Sequence, residues 1–386
     1  MAEGFELRKF VAPEFIFGVG ARHLAGRYAK NIGGRKVLVV SDPGVVAAGW
    51  TKEVTDSLEA AGLSFALFTA VTPNPKVDEV MAGANIYLSE HCNVIVAVGG
   101  GSPIDCAKGI GIVSSNHNNI LQFEGVDMVD IPIPPLICIP TTGGTSADVS
   151  QFAIISNPQE RVKFAIISKS VVPDLALVDP ETLVTMDSYL TACTGLDALT
   201  HAIEAYVSTA RSTMTDVHAI EAVRIISENL IPSIKDPKNL DLRAKVMQGS
   251  LQAGLAFSNA ILGATHAMAH SLGGALDIAH GECNAILLDH VIEFNLSSSL
   301  ERFEHIAAAM GLDLRGLTSN GKKSALLNHV RELKRAAGIN RTLSGLGVSR
   351  SDVYLFSDHA IKDPCMSTNP RTPSHRDVEV LYEESL

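Results

Sequence analysis

Asp197, His201, His266 and His280 are the residues whose types and spacing point most directly to chemistry. One carboxylate oxygen and three imidazole nitrogens can hold a single divalent cation and leave a coordination position for a substrate oxygen. In the run Gly195 to His201 the acid and the imidazole stand four residues apart, so a helix would present both on one face. His266 and His270 repeat that spacing. His280 lies fourteen residues beyond His266, about 21 Å along an unbroken helix, which is too far to share an ion. The chain must therefore fold back. Gly273 and Gly274 are the expected break, since each costs about 1 kcal/mol inside a helix, with His280 and Gly281 opening the next element. Spacing alone leaves plainer readings open, because a histidine on an apolar helix face also serves as a hydrogen-bonded core residue and an Asp-x-x-x-His pair can be a solvated pair.

The elements that must carry these residues fall into two halves. Lys36 to Asp42, Ser64 to Phe68, Asn93 to Val98 and Leu136 to Ile139 read as buried strands, with helices over Thr51 to Ala61 and Lys76 to Glu90 between them. Such alternation predicts a mainly parallel sheet covered on both faces, with ligands at the carboxyl ends of its strands. From about Asp179-Pro180 strand-like alternation gives way to amphipathic stretches: Leu190 to Val207, Asp216 to Asn229, Leu242 to Ala256, Thr265 to Leu272, Leu300 to Met310 and Lys322 to Ala337. We expect an α/β domain over residues 1–180 and an all-helical domain over residues 181–386, with the four ligands in the second and the reaction in the cleft between.

The first half carries a candidate anion site. Gly99, Gly100, Gly101 and Ser102 follow a strand and open a helix, where backbone N–H groups and the helix dipole favour phosphate. The run matches neither G-x-G-x-x-G nor the Walker pattern, and it can equally be a tight strand-to-helix turn. The loop from Pro140 to Thr145 follows the next strand, and its Thr141 and Thr142 can reach a nucleotide or cap the following segment. Asp42 ends the first strand, where dinucleotide-binding sheets place an acid for ribose hydroxyls; Ser41 to Gly44 is also ordinary turn chemistry.

Composition narrows the function. At 386 residues the chain exceeds what one core usually serves, and 46% hydrophobic against 19% charged residues exclude disorder. A net charge of −11 without basic runs argues against nucleic acid and anionic membrane as partners. Cys92, Cys106, Cys138, Cys193, Cys283 and Cys365 form no C-x-x-C pair and read as reduced thiols of a cytoplasmic protein. With charges of both signs and no apolar core over Met1 to Phe10, we expect no signal peptide, and no apolar run reaches the roughly 18 residues that span a bilayer.

Together the motifs resemble the iron-containing, group III alcohol dehydrogenase family. The likeness runs from Phe17-Gly18 to Asn369-Pro370-Arg371 and includes Gly99 to Lys108, Pro140 to Thr142, Val172 to Pro180, Gly195 to Glu204, Gly263 to Gly274 and His280 to Ala285. It implies a Rossmann-like amino-terminal domain, an all-helical carboxyl-terminal domain in the architecture shared with dehydroquinate synthase, and a divalent metal on Asp197, His201, His266 and His280. Implied NAD contacts are Asp42, Asn74, Gly100, Gly101, Thr141, Thr142 and Lys163, beside Gly99, Ser102 and Thr145 of the same loops, and the stretch Thr182 to Met186 with Leu183. His270 matches a position close to metal and nicotinamide. Iron is the implied metal and zinc the reserve, since these ligands alone do not choose. Two departures stand out. The family usually reads Pro-Thr-Thr-Ala-Gly-Thr-Gly-Ser-Glu where this chain has Pro140 to Asp148 with a shorter acid and a displaced glycine, and Leu288-Asp289 replaces Leu-Pro.

The expected reaction is reversible oxidation of a primary alcohol or short diol to the aldehyde, with hydride passing to NAD and His270 relaying the proton, in a homodimer or larger homo-oligomer. An alkoxide in the open metal position would be stabilised electrostatically. A hydroxyacid–oxoacid transhydrogenase would need no free NAD. A sugar-phosphate cyclase of the same fold would need clustered cations, yet Arg211, Arg224, Lys235, Lys238, Arg243 and Lys245 all lie outside the ligand motifs. A non-catalytic metal- or nucleotide-binding protein would have no reason to set its ion against a cofactor loop.

Overall fold

The computed structural model describes residues 7–276 and 278–386. Strands β1 (Glu14–Phe17), β2 (Lys36–Val40), β3 (Ser64–Phe68), β4 (Val94–Gly99), β6 (Leu136–Pro140) and β9 (Leu175–Val178) form one six-stranded sheet in the order β1-β9-β6-β4-β2-β3. Every pairing in it is parallel. Val37 to Val40, Val94 to Val98 and Leu136 to Ile139 are completely buried, as a sheet covered on both faces requires. The covers are α1 (Ala25–Asn31), α2 (Pro43–Ala47), α3 (Trp50–Ala60), α4 (Val77–Ser89) and α5 (Gly101–Asn116). From β2 the chain steps outward to β3, and from β4 it steps the other way to β6, so the strand order reverses between β2 and β4. Asp42 follows β2 and the glycine run closes β4, which puts both at the crevice where such sheets bind ligands.

A second, three-stranded sheet in the order β5-β8-β7 was absent from the expectation. It joins β5 (Gly125–Val126) to the antiparallel hairpin of β7 (Phe152–Asn157) and β8 (Val162–Ile167). The hairpin holds the Asn74 turn, because Ser156 N–H donates to Pro75 O at 2.8 Å, and it also packs on the helical half.

That half comprises α6 (Ser188–Val207), α7 (Thr213–Lys235), α8 (Leu240–Ala260), α9 (Ala264–Leu276), α10 (His280–Asn295), α11 (Leu300–Ala309), α12 (Ser319–Ala336), α13 (Val353–Lys362) and α14 (His375–Glu384). Each helix expected from periodicity is present, usually a few residues longer, because the caps lie outside the apolar repeat. Asp187, for example, accepts from Leu190 N–H and starts α6 two residues early.

The expected break at Gly273 and Gly274 does not occur. α9 continues through Gly273 and Gly274 to Leu276, and α10 begins at His280 after Ile278 and Ala279. The glycines permit close packing instead: a Cβ on Gly274 would stand 2.7 Å from Lys163 N and 2.8 Å from Val162 Cα on β8. Their helix-propensity cost is offset by that contact. The chain still folds back, and the His266 and His280 rings end 5.3 Å apart.

Candidate active site

Three helices aim the four candidate ligands at one place. α6 supplies Asp197 and His201, α9 supplies His266, and the first residue of α10 is His280. Ligand atoms of Asp197, His201 and His266 lie within 4.8 Å of one another. His280 stands just outside that triangle, with Nε2 3.9 Å from Asp197 Oδ1. α10 comes this close to α6 because residue 281 is glycine, where a Cβ would meet Cys193 O at 2.2 Å. His201 is stacked between Phe257 at 4.3 Å and His266 at 4.4 Å, which fixes its ring plane.

A further layer holds these side chains. On α6 the face that carries Asp197 and His201 continues at Glu204, a full two turns from the acid. Glu204 Oε1 accepts from Thr265 N–H at 2.7 Å and Oε2 accepts from His266 Nδ1 at 2.6 Å. The carboxylate thus tethers the start of α9 and, by engaging Nδ1, turns His266 Nε2 inward toward Asp197. Asn284, one turn after His280, donates through Nδ2 to Asp197 Oδ1 at 2.7 Å and lies 3.0 Å and 3.1 Å from Nε2 of His266 and His280. His270 Nδ1 bonds Asp363 Oδ2 at 2.8 Å, and its ring stacks on His280 at 5.1 Å. Asp363 also accepts from Cys365 N–H at 2.8 Å.

The electrostatics suit a cation. Burial works against the Asp197 charge, but His201, His266 and His280 reverse it and hold the carboxyl far below its usual range. Burial drives His201 down to about 4 and His280 well below an ordinary imidazole, so both present neutral nitrogens. Burial also opposes charging of His266, yet its hydrogen bonds to Asp197 and Glu204 win and raise it to about 9. Asp197 Oδ1 and His266 Nε2, only 3.6 Å apart, need something positive between them, and a divalent ion fits as well as a proton. An ion entering below about pH 9 must expel that proton. Metal affinity is therefore expected to rise roughly tenfold per pH unit from neutrality and to level off above the His266 value. Calorimetric metal titration across that range checks it; a flat affinity would mean that binding displaces no proton from His266.

At the other half, the residues after the strands converge. A Cβ on Gly100 would stand 3.0 Å from Thr142 Cγ2 and one on Gly101 2.9 Å from Thr145 Cγ2, so the glycine turn packs directly on the neighbouring threonine loop. Thr142 Oγ1 is buried without a hydrogen-bond partner among the described residues, a polar atom of the kind a ligand satisfies. Thr141 continues the strand pairing through its N–H to Gly99 O at 2.9 Å. Asn74 N–H donates to Ser102 Oγ at 3.2 Å, and Lys163 Nζ donates to Asn74 Oδ1 at 2.7 Å. Asp42 caps α2, accepting from Val45 N–H at 2.9 Å. Thr182 donates to Pro140 O and Asp179 O, while Leu183 and Met186 pack in a buried cluster with Val178 and Met247.

Both departures from the family pattern are accommodated locally. Ser146 takes the left-handed conformation at φ 51° that a glycine would adopt freely, and its hydroxyl bonds Ser250 O at 2.7 Å. Asp148 is buried, and burial pushes its carboxyl up to about 6. α10 runs unbroken through Leu288 and Asp289, whose carboxylate pairs with Arg331 at 2.7 Å and with Lys334 on α12.

The family model for iron-containing alcohol dehydrogenase matches residues 12–180, and that for the C-terminal part of the Fe-containing alcohol dehydrogenase family matches residues 191–386. The chain belongs to the iron-containing alcohol dehydrogenase family. It is 38% identical over 373 residues to the 1,3-propanediol dehydrogenase of Citrobacter freundii, covering 96% of each chain. It is 34% identical over 377 residues to the NAD-dependent methanol dehydrogenase of Bacillus methanolicus, covering 98% of this chain and 99% of that one. The crystal structure of a 1,3-propanediol oxidoreductase superposes with a TM-score of 0.96 at 36% identity, covering 99% of this chain and 100% of the other. The family resemblance and the fold read from the sequence both stand. No helix among the described residues is long and apolar enough to cross a membrane.

Proposed function

We propose that the protein is a metal-dependent, NAD-linked dehydrogenase that interconverts a small primary alcohol or short diol and its aldehyde. One observation carries the reading: the ammonium of Lys163, bonded to the Asn74 turn beside Ser102, lies against Gly273 of the same helix that presents His266. The turn read as nucleotide-binding thus adjoins the helix read as metal-binding, which supports hydride transfer between an alcohol and a nicotinamide at their junction. In this reading Asp197, His201, His266 and His280 hold the ion, iron by family and zinc in reserve. Gly99, Gly100, Gly101 and Ser102 receive the pyrophosphate. Asp42 accepts from the adenosine ribose, where its charge disfavours a 2′-phosphate, and Asn74, Thr141, Thr142, Thr145 and Lys163 line the remaining coenzyme path over the floor of Thr182, Leu183 and Met186.

When bound, the ion lowers the alcohol's pKa and NAD accepts the hydride. The chain's own contribution is orientation and proton handling. Glu204 fixes the His266 tautomer. Asp363 engages His270 Nδ1, leaving Nε2 as the atom through which the departing proton passes outward. Phe257, stacked on His201 and packed edge to face on Phe152 at 5.6 Å, covers one side of the ligand cluster with apolar surface. The six cysteines are free and buried, which suits a reducing cytoplasm. Edge strand β1, with Phe15 41% and Phe17 39% exposed, suits assembly into a homo-oligomer.

The test is NADH formation from a panel of short alcohols and diols before and after chelation. Stripped protein is expected to lose activity and to regain it with added Fe(II) or Zn(II). Turnover that survives chelation, or oxidation that needs an oxoacid and no free NAD, would overturn the reading.

A further inference from the structure

The face of α9 that carries His266 and His270 continues to Gly273, because residues i, i+4 and i+7 lie on one side of a helix. Lys163 on β8 lays its side chain there. A Cβ built on Gly273 would stand 2.7 Å from Lys163 Nζ and 3.1 Å from Cε. The other side of the ammonium donates to Asn74 Oδ1 at 2.7 Å. Asn74 is itself pinned in the left-handed conformation at φ 57°, with its N–H on Ser102 Oγ at 3.2 Å. One cation is thus located between the nucleotide-side turn and a bare patch of the metal-bearing helix. Seven residues at about 1.5 Å each separate that patch from His266 by roughly 10 Å along the axis.

We propose that Gly273 is a positioning residue: its missing side chain is the seat that fixes the Lys163 ammonium relative to His266, and so sets where the coenzyme docks against the metal site. The inference rests on the reading of Lys163 as a coenzyme contact. Its neighbour has a different role. At Gly274 the obstructing atoms are backbone of Val162 and Lys163, so a side chain there would force β8 off α9. At Gly273 the nearest atoms are the far end of the Lys163 side chain and no backbone, so the obstruction can shift without moving β8 off α9. Alanine at 273 therefore displaces the ammonium while the backbone contact of α9 with β8 stays in place.

The experiment measures the NADH dissociation constant by fluorescence titration, with melting temperature and metal content, for wild type, Gly273→Ala, Lys163→Ala and the double variant. Gly273→Ala is expected to keep the wild-type melting temperature and metal content yet bind NADH about tenfold more weakly, the effect of misplacing one charge-assisted hydrogen bond. Lys163→Ala should weaken binding at least as much. The double variant should bind like Lys163→Ala, because no ammonium remains for the methyl group to displace. Unchanged NADH binding in Gly273→Ala overturns the proposal, as do additive losses in the double variant, or a lowered melting temperature or metal content that would make position 273 a packing site. Unchanged binding in Lys163→Ala overturns it at its premise, by removing Lys163 from the coenzyme path while the metal-dependent reaction itself still stands.

Discussion

Asp197→Asn is expected to yield folded protein that retains no stoichiometric metal and oxidises alcohols at least ~10³-fold more slowly in kcat/KM. Asp197 Oδ1 lies 3.6 Å from His266 Nε2 and 3.9 Å from His280 Nε2, which makes it the shared anionic corner of the cluster. The other carboxylate nearby, Glu204, has both oxygens committed to Thr265 and the far side of His266. With Asp197 neutral, an incoming dication would meet only uncharged donors among largely buried side chains, and the desolvation of the ion would have nothing anionic to offset it. The amide is isosteric and Asn284 can still bond its oxygen, so loss of fold does not explain the outcome. Metal analysis after dialysis, paired with NADH formation and a melting curve, checks the prediction; full metal occupancy would remove Asp197 from the ligand set.

Glu204→Gln is expected to weaken metal binding by about 10–100-fold while leaving the fold in place. The new side chain keeps an oxygen for Thr265 N–H but brings an NH₂ group against His266 Nδ1. A donor there can be met only if Nδ1 gives up its hydrogen, which transfers the proton to Nε2 and points it at the ion. The charge that stabilises His266 as a ligand disappears at the same time. Glu204→Asp should fall between the two, since it keeps the charge and the acceptor at a shorter reach. Competition titration with a chromogenic chelator measures both, and wild-type affinity in Glu204→Gln would show that the carboxylate only caps α9.

What could be read in advance divides along physical lines. The ligand candidates were legible because Asp197 and His201, and His266 with the neighbouring His270, follow helical spacing, and the sheet because β2, β4 and β6 are near-continuous apolar runs with glycine, proline or acid turns at their ends. Extending the same periodicity one turn would have found Glu204 and Gly273, since i+7 shares a face with i and i+4. Asn284 likewise follows His280 by four. Asp363 could not be found this way, because its bond to His270 spans 93 residues, and only the folded chain brings α9 to the end of α13. The glycine pair was misread as a break because helix propensity weighs about 1 kcal/mol per glycine, whereas the contact with β8 that those glycines permit is tertiary. The β7–β8 hairpin escaped because its turn, Pro158 to Arg161, bends through a left-handed arginine at φ 56° instead of a glycine.

The most direct measurement is an anomalous diffraction map of crystals reloaded with Fe(II) or Zn(II) in the presence of NADH. One strong peak is expected, ligated by Asp197, His201, His266 and His280, with the nicotinamide ring within hydride reach and the pyrophosphate on Gly100 and Gly101. A peak bound elsewhere, or a nicotinamide held away from that ion, would contradict the proposed function.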